Sequence, residues 1–481
     1  MQTVQKSVSL ESAWANCPEG QIVSCLRTDE YDIQTGAFYS PLSNVYTEVA
    51  ELECSLTVSD LKSLIIDAVH PGIDFSSLPR IAPEPFRMDP SPVEMPMTAL
   101  SRIVDRFEKD LVFGGVLDQL IDAENMDAAK QVIAILASGK TGNPVNKNNL
   151  QYNDINNHIL LCNDRRHPLQ LLLPSFPFKD QNPFRTELFK ASWCDLGEIA
   201  LLARLHCIAL SLNQVHPYDG QIIIVSDGRL YQDIFGIEPN AVSEYMNELI
   251  DMRNQMNMGR TVYLLDLWSI MKQLDSKATM IFENDTWRGV FSIRDSLVET
   301  ISNISHTDER VLNSLCEMTS SMLMNLDLSD EIRTMGRDVL WETMLNAQDF
   351  KTRAARIISK EVVWENDSID ALANRAVKAS IQYIATNITL KVLDILNKAF
   401  PLAIRGTVHS KSGQVAIPKL GRLDPWNGVG VLTDSSLRPS SIRVNAAWDL
   451  DRDSYGLLSW AGGSRPIGVY ARSIVDIDGV F

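Results

Sequence analysis

Hydrophobic and polar positions in the middle of the chain follow two alternating periods. Leu169-Gln-Leu-Leu-Leu173 and Gln221-Ile-Ile-Ile-Val225 are short apolar runs closed by Pro174 and by Ser226-Asp227-Gly228, and Thr261-Val-Tyr-Leu-Leu265 closes on Asp266. Runs of this length, rich in Ile, Leu and Val and bounded by turn residues, predict strands buried on both faces. Between them the spacing becomes helical. Leu196, Ile199, Leu202, Leu205 and Ala209 share one face of a predicted helix 195–212 with Asp195 at its N-cap, and a second helix is predicted over 242–256. Strand and helix in alternation predict an open α/β core, whose ligands gather beyond the carboxyl ends of the strands. The loops starting at Pro174, Ser226 and Asp266 are therefore the expected seat of chemistry.

The flanks read differently. From 276 to 398 the pattern is helical, over 295–304, 308–326 and 368–399, and from 399 onward it turns to strand, over 403–409, 414–417, 429–432 and 467–472, with Gly and Pro between. The Pro-dense stretch from Leu78 to Pro96 reads as a linker, because proline lacks an amide donor and fixes its own backbone. Before it, strand-like 21–26 and a helix over 57–69 predict a small α+β extension; after it, 99–107 and 115–137 carry helical spacing. The expected architecture is α/β, a central, mostly parallel Rossmann-like sheet over 96–275, with an extension at 1–95, a helical insertion at 276–398 and a β-rich segment at 399–481 that completes the site.

The 481 residues are 45% hydrophobic and 22% charged, enough apolar material for one large or two ordinary cores. No apolar run reaches the roughly 18 residues of a membrane span; the stretch Ile199–Leu210 contains Arg204 and His206 and reads as a buried helix. The start, Met1-Gln-Thr-Val-Gln-Lys6, has neither the basic end nor the apolar stretch of a secretory signal, so a cytoplasmic location is expected. Seven scattered cysteines, none spaced CxxC, predict reduced thiols and no structural zinc. A formal charge of −17 repels nucleic acid and anionic lipid, so any anionic ligand needs basic side chains concentrated locally. GxGxxG, HExxH and GxSxG are absent, and the phosphate-loop look-alike Ser138-Gly-Lys-Thr-Gly142 has Ala134 where that motif needs glycine. No motif calls for a metal or redox cofactor.

Five segments carry the remaining candidate chemistry. Period-two alternation puts Arg405, Thr407 and His409 on one face of the strand 403–409, which suits an oxyanion beside a proton carrier or, alternatively, a solvated edge. Lys179, Asn182 and Arg185 share a loop after a buried strand, where they form a cationic pocket or ordinary surface charge. Asp227, Arg229 and Asp233 surround a tight turn at Gly228 that serves binding or turn geometry alone. Asp195 and Glu198, three apart, read equally as a capping box or as functional carboxylates. His206 reads as a core histidine, and Met318–Met324 as packing.

Taken in order, Leu173-Pro-Ser-Phe-Pro-Phe-Lys179-Asp-Gln-Asn182-Pro-Phe-Arg185, Asp195-Leu-Gly-Glu198, Ser226-Asp-Gly-Arg-Leu-Tyr-Gln-Asp233, Phe400-Pro-Leu-Ala-Ile-Arg-Gly-Thr-Val-His409 and Pro425-Trp-Asn-Gly-Val429 resemble the blocks of the isocyanide (isonitrile) synthase family, which includes the pyoverdine and dityrosine biosynthesis proteins. Two departures stand out: Asn427 replaces the family's histidine, and Gly406-Thr407 replaces Leu-Ser. The resemblance implies that the α-amine of a tyrosine- or tryptophan-like amino acid condenses with the ketone of ribulose 5-phosphate, whose C2 becomes the isocyanide carbon. On that scheme Lys179, Arg185 and Arg405 hold the phosphate, His409 with Asp227 or Glu198 moves protons, and Asn182, Arg229, Asp233, Thr407 and Asn427 line the site. The partners implied are small molecules, with an iron/2-oxoglutarate oxygenase downstream. An N-formyl product, or a non-catalytic relative that only binds ligand, are the alternatives.

Overall fold

The computed structural model describes residues 57–68, 93–95, 102–103, 128–136, 152–182, 185–186, 190–271, 286–360, 368–393, 395–407, 415–416, 427–433, 436–442, 455–463 and 465–471. Its strands are β1 (Val93–Met95), β2 (Leu169–Pro174), β3 (Gly220–Ser226), β4 (Val262–Asp266), β5 (Ile404–Thr407), β6 (Val415–Ala416), β7 (Val429–Thr433), β8 (Ser436–Ile442), β9 (Tyr455–Trp460) and β10 (Pro466–Ala471). Its helices are α1 (Val58–Ala68), α2 (Ala128–Leu136), α3 (Tyr152–Asp164), α4 (Leu196–Val215), α5 (Gly228–Phe235), α6 (Pro239–Gln255), α7 (Thr286–Ser305), α8 (Glu309–Leu323), α9 (Ser329–Met335), α10 (Arg337–Leu345), α11 (Ala347–Ile358), α12 (Ser368–Leu393) and α13 (Ile395–Ala399).

The three apolar runs are three adjacent strands, β4, β3 and β2, of a sheet ordered β4-β3-β2-β5-β6, all of whose neighbours run parallel. The chain thus lays its strands outward from β2 to β3 and β4, then returns through the helical segment to β5 on the other side. The reversal lies between β2 and β5, and in sheets of this kind the crevice at that reversal receives the ligand. Alternate residues serve two cores. Leu171, Leu173, Ile222, Ile224, Val262 and Leu264 pack toward α4, while Leu172, Ile223, Val225 and Leu265 pack toward α7, α8 and α12.

Helix α4 is long and apolar enough to cross a membrane by composition, yet 89% of its most apolar window is enclosed in the protein. One side meets the parallel sheet and the other a second sheet of order β1-β9-β10-β7-β8, in which parallel and antiparallel pairs mix. This explains apolar residues all round the helix, with Arg204 and His206 buried among them. His206 pairs its Nδ1 with Thr261 Oγ1 at 2.6 Å, the satisfied core histidine expected.

Two segments sit elsewhere than their sequence neighbourhood indicates. The expected C-terminal β region is divided: β5 and β6 complete the parallel sheet, and β7–β10 form the second one. Residues 93–95, inside the Pro-dense stretch, form β1 at the edge of that second sheet, and edges are where flanking prolines are tolerated. Helix α1 packs on the helical segment through Leu61 and Ile65, and Lys62 pairs with Asp308 at 2.8 Å. The expected strand at 21–26 and the Ser138–Gly142 segment lie outside the described residues.

Candidate active site

The carboxyl ends of β2, β3, β4 and β5 bring together groups that are far apart in sequence. At the end of β3, Ser226 donates to the carbonyl of Phe176 at 3.0 Å, fastening the loop after β2 across the start of α5. That loop is tight: Phe176 has φ +58°, and a Cβ on Gly228 would lie 2.1 Å from the Pro177 carbonyl oxygen. Glycine at 228 is needed for this crossing, beyond its value in a turn.

Asp227 occupies the N-cap of α5 without making a side-chain cap bond. Its carboxyl is left for other work. Burial pushes it up to about 6, with Arg405 on β5 pulling down and Asp266 at the end of β4 pushing up. Burial likewise raises Asp266 to about 6 against the pull of Ser269 and Arg229. Arg229 is itself buried and donates to Ser243 Oγ. The phenols of Tyr231 and Tyr383 are raised by burial and by the charge of Asp227, and Tyr231 donates to Asn387 Oδ1 at 2.7 Å. The result is a buried carboxyl raised to about 6, with the half-buried guanidinium of Arg405 and two phenols in its electrostatic surroundings.

A second set of charges is sealed inside. Asp195 caps α4 by accepting from Gly197 N at 2.7 Å, and Glu198 accepts from Asp195 N at 2.8 Å, completing a capping box. Lys179 Nζ lies 2.9 Å from both Asp195 Oδ1 and Glu198 Oε2, with all three side chains at 0% exposure. Tyr245 donates to Glu198 Oε1 at 2.9 Å, and Gly430 N on β7 donates to Asp195 Oδ2 at 2.6 Å. Burial opposes the charge on Lys179, but the two carboxylates outweigh it and hold the group above its ordinary range. One cation does not neutralise two buried carboxylates, and burial with Asp195 alongside pushes Glu198 up to about 8 despite Lys179.

A third set ties the 179–186 loop to distant segments. Asn182 Nδ2 donates to the carbonyls of Leu323 and Leu326 at 2.9 and 3.1 Å, and Arg185 donates to Asn325 Oδ1 and, at 3.0 Å, to Asn427 Oδ1. Asp180, 3% exposed, is raised to about 7 by burial against Arg185.

The expected site residues therefore divide. Asp227 and Arg405 are close enough for the charge of one to bear on the other, as are Asp266 and Arg229, and Thr407 is two positions further along β5. Lys179 and Glu198, for which the resemblance implied phosphate and proton roles, are enclosed together at 0% exposure, the ammonium shared between Asp195 and Glu198. Asn182 donates to two backbone carbonyls at the end of α8 and just after it, and Arg185 pairs with Asn325 and Asn427. Asp233 turns away to Arg294 at 3.1 Å with its side chain 47% exposed. His409 lies outside the described residues. Missed by the sequence reading were Tyr231, Tyr383, Asn387 and Tyr245; the spacing of Tyr383 and Asn387, four apart on α12, was the available signal. No group of three metal-ligating side chains occurs among the described residues.

Comparison with known proteins agrees with the motif order. The L-tyrosine isonitrile synthase of Xenorhabdus nematophila is 32% identical over 82 residues, covering 17% of this chain and 24% of that protein. The L-tryptophan isonitrile synthase of Fischerella ambigua is 28% identical over 94 residues, covering 20% and 28%. These matches thus span about a quarter of the relatives' own length. The crystal structure of the PvcA protein from Pseudomonas aeruginosa aligns with 65% of this chain and 89% of its own, at 17% identity and a TM-score of 0.45. The model of the pyoverdine/dityrosine biosynthesis proteins matches residues 159–437, more than half of the chain, and the chain belongs to that family.

Proposed function

We propose that this protein is an isocyanide synthase that converts the α-amine of a tyrosine- or tryptophan-like amino acid to an isonitrile, with ribulose 5-phosphate as the carbon donor. The observation that supports the reading is Asp227, a carboxyl at the end of β3 in a parallel sheet, spared from capping and raised to about 6 by burial although the charge of Arg405 draws it down. Condensing an amine with a ketone forms an imine and releases water, which requires protonation of the departing hydroxyl and removal of an amine proton. A carboxyl poised near neutrality serves both transfers. Arg405 supplies the planar donor fork for the phosphate, and Thr407 a hydroxyl from the same strand face. Lys179, Asp195 and Glu198 act at a remove, by holding the loop and the second sheet against the start of α4.

The test is mass spectrometry after incubation with ribulose 5-phosphate labelled at C2 and a panel of amino acids. A labelled isocyanide is the expected product. A labelled formamide, heavier by one water, would favour the N-formyl reading suggested by the dityrosine branch of the family, whereas the replacement of the family's histidine by Asn427, held by Arg185, favours a relative that binds without turnover. An amide does not titrate in the working range, so Asn427 cannot move a proton as histidine does. Binding without consumption of labelled sugar would leave a ligand-binding relative.

A further inference from the structure

Arg185 belongs to the loop that follows β2, beyond the carboxyl end of the parallel sheet, and it is 7% exposed. Its Nη1 serves two amides at once, donating to Asn325 Oδ1 and, at 3.0 Å, to Asn427 Oδ1. A guanidinium carries donors only, so it is the amide oxygen that must face it, and the NH2 end of each planar amide is turned the other way. Asn325 uses that end inside the protein, donating from Nδ2 to the carbonyl of Ser321 at 3.1 Å, one turn back on α8. Asn427 does not. It is half-exposed, and its Nδ2 has no protein partner among the described residues.

Placing β7 does not account for the bond to Arg185, because that strand is anchored three residues further on, where Gly430 N donates to Asp195 Oδ2 at 2.6 Å. Arg185 also has an anion of its own: its charge bears on Asp180, 3% exposed in the same loop. What the arrangement leaves over is a neutral donor of fixed sense, joined through Arg185 to a loop at the end of the sheet where ligands of such folds collect. Two hydrogens and no lone pair select an oxygen acceptor, and an anionic oxygen makes the strongest such bond. Resting on the proposed function, we infer that Asn427 donates a hydrogen bond to an anionic oxygen of a substrate, the carboxylate of the amino acid or the phosphate of the sugar, and that Arg185 is the positioning residue that sets the sense of its amide.

Asn427→Asp is nearly isosteric: it keeps an oxygen for Arg185 and puts an acceptor where the donor stood. Without ligand it should melt at the wild-type temperature or above, since a carboxylate binds a guanidinium more strongly than an amide does. With ligand, KM for one substrate, and the concentration that half-saturates its thermal stabilisation, should rise about tenfold while those for the other stay put. Ribulose 5-phosphate and tyrosine or tryptophan, titrated separately, tell the phosphate from the carboxylate. Arg185→Met should raise the same constants and add little in the Asn427→Asp background, because both changes remove one oriented donor. Arg185→Lys, which keeps a donor for the amide oxygen, should recover part of the loss, and it carries the same cycle if the methionine variant fails to fold. Constants unchanged in Asn427→Asp, or raised equally for both substrates, would overturn the donor role; so would a ligand-free melting temperature lower by several degrees, which would mean that Nδ2 was already engaged inside the protein. Additive effects of the two positions would overturn the positioning role. If wild type responds to the substrates and Asn427→Asp responds identically, only this inference fails; if wild type is indifferent to both, the proposed function fails with it.

Discussion

Replacing Lys179 by methionine keeps the length and apolar stem of the side chain and removes its charge. In the native protein the ammonium is 2.9 Å from both Asp195 and Glu198, and none of the three has any exposed surface. Without it, two carboxylates remain enclosed, with backbone amides and the Tyr245 hydroxyl as their donors among the described residues. Removing one partner of a buried ion pair typically costs about 3–5 kcal/mol, because the other charge is left uncompensated. At about 2 °C per kcal/mol for a large domain, the melting temperature should fall by roughly 6–10 °C. The sign of the pH dependence makes the test specific. Protonating a buried carboxylate removes the charge that the lost lysine used to balance, so the gap between variant and wild type should narrow as pH falls from 8 to 5.5. Thermal melts across that range are the assay. A variant within a degree or two of wild type at pH 8, or a gap that widens on acidification, would refute the account of these charges.

Further outcomes follow from the same geometry. Gly430→Ala puts a Cβ 2.5 Å from Gly197 N and 2.6 Å from Leu196 Cβ, so β7 must move off α4 and strain its bond to Asp195; a loss of about 2–4 kcal/mol is expected by urea unfolding. In wild type, Glu198, Asp180, Asp227 and Asp266 are raised to about 8, 7, 6 and 6, so between the ordinary carboxylate range and those values the folded state holds more protons than the unfolded one. Their joint contribution is present at low pH and lost as pH climbs from about 5 to 8; melts should show it as a falling temperature, and a rise over that interval would contradict it. Asp227→Asn should lower kcat by about 10²–10⁴ while leaving the melting temperature unchanged or higher, and the wild-type rate should titrate near pH 6, a feature absent from the variant. Arg405→Gln should raise KM for the sugar phosphate more than for the amino acid, as paired steady-state measurements would show.

Local periodicity and capping chemistry determine what lies within one turn or one strand, and those were legible along the chain. Runs such as Ile222-Ile-Ile224 had to be strands enclosed on both faces, and Asp195 with Glu198 had to begin a helix, because the groups involved are neighbours in sequence. The motif order likewise pointed to the family on residues alone. Charge compensation is different in kind. Whether Lys179 faces a ligand or two carboxylates depends on a loop folding back onto the start of α4, and Arg185 meets an acceptor 242 positions away in Asn427. Strand order, too, is set by packing: it brings Arg405 near enough to Asp227 to draw its carboxyl down, and leaves Asp233 half-exposed beside Arg294. Side-chain type is written in the chain, but a charge acquires its role from the partners and dielectric that only the assembled fold supplies.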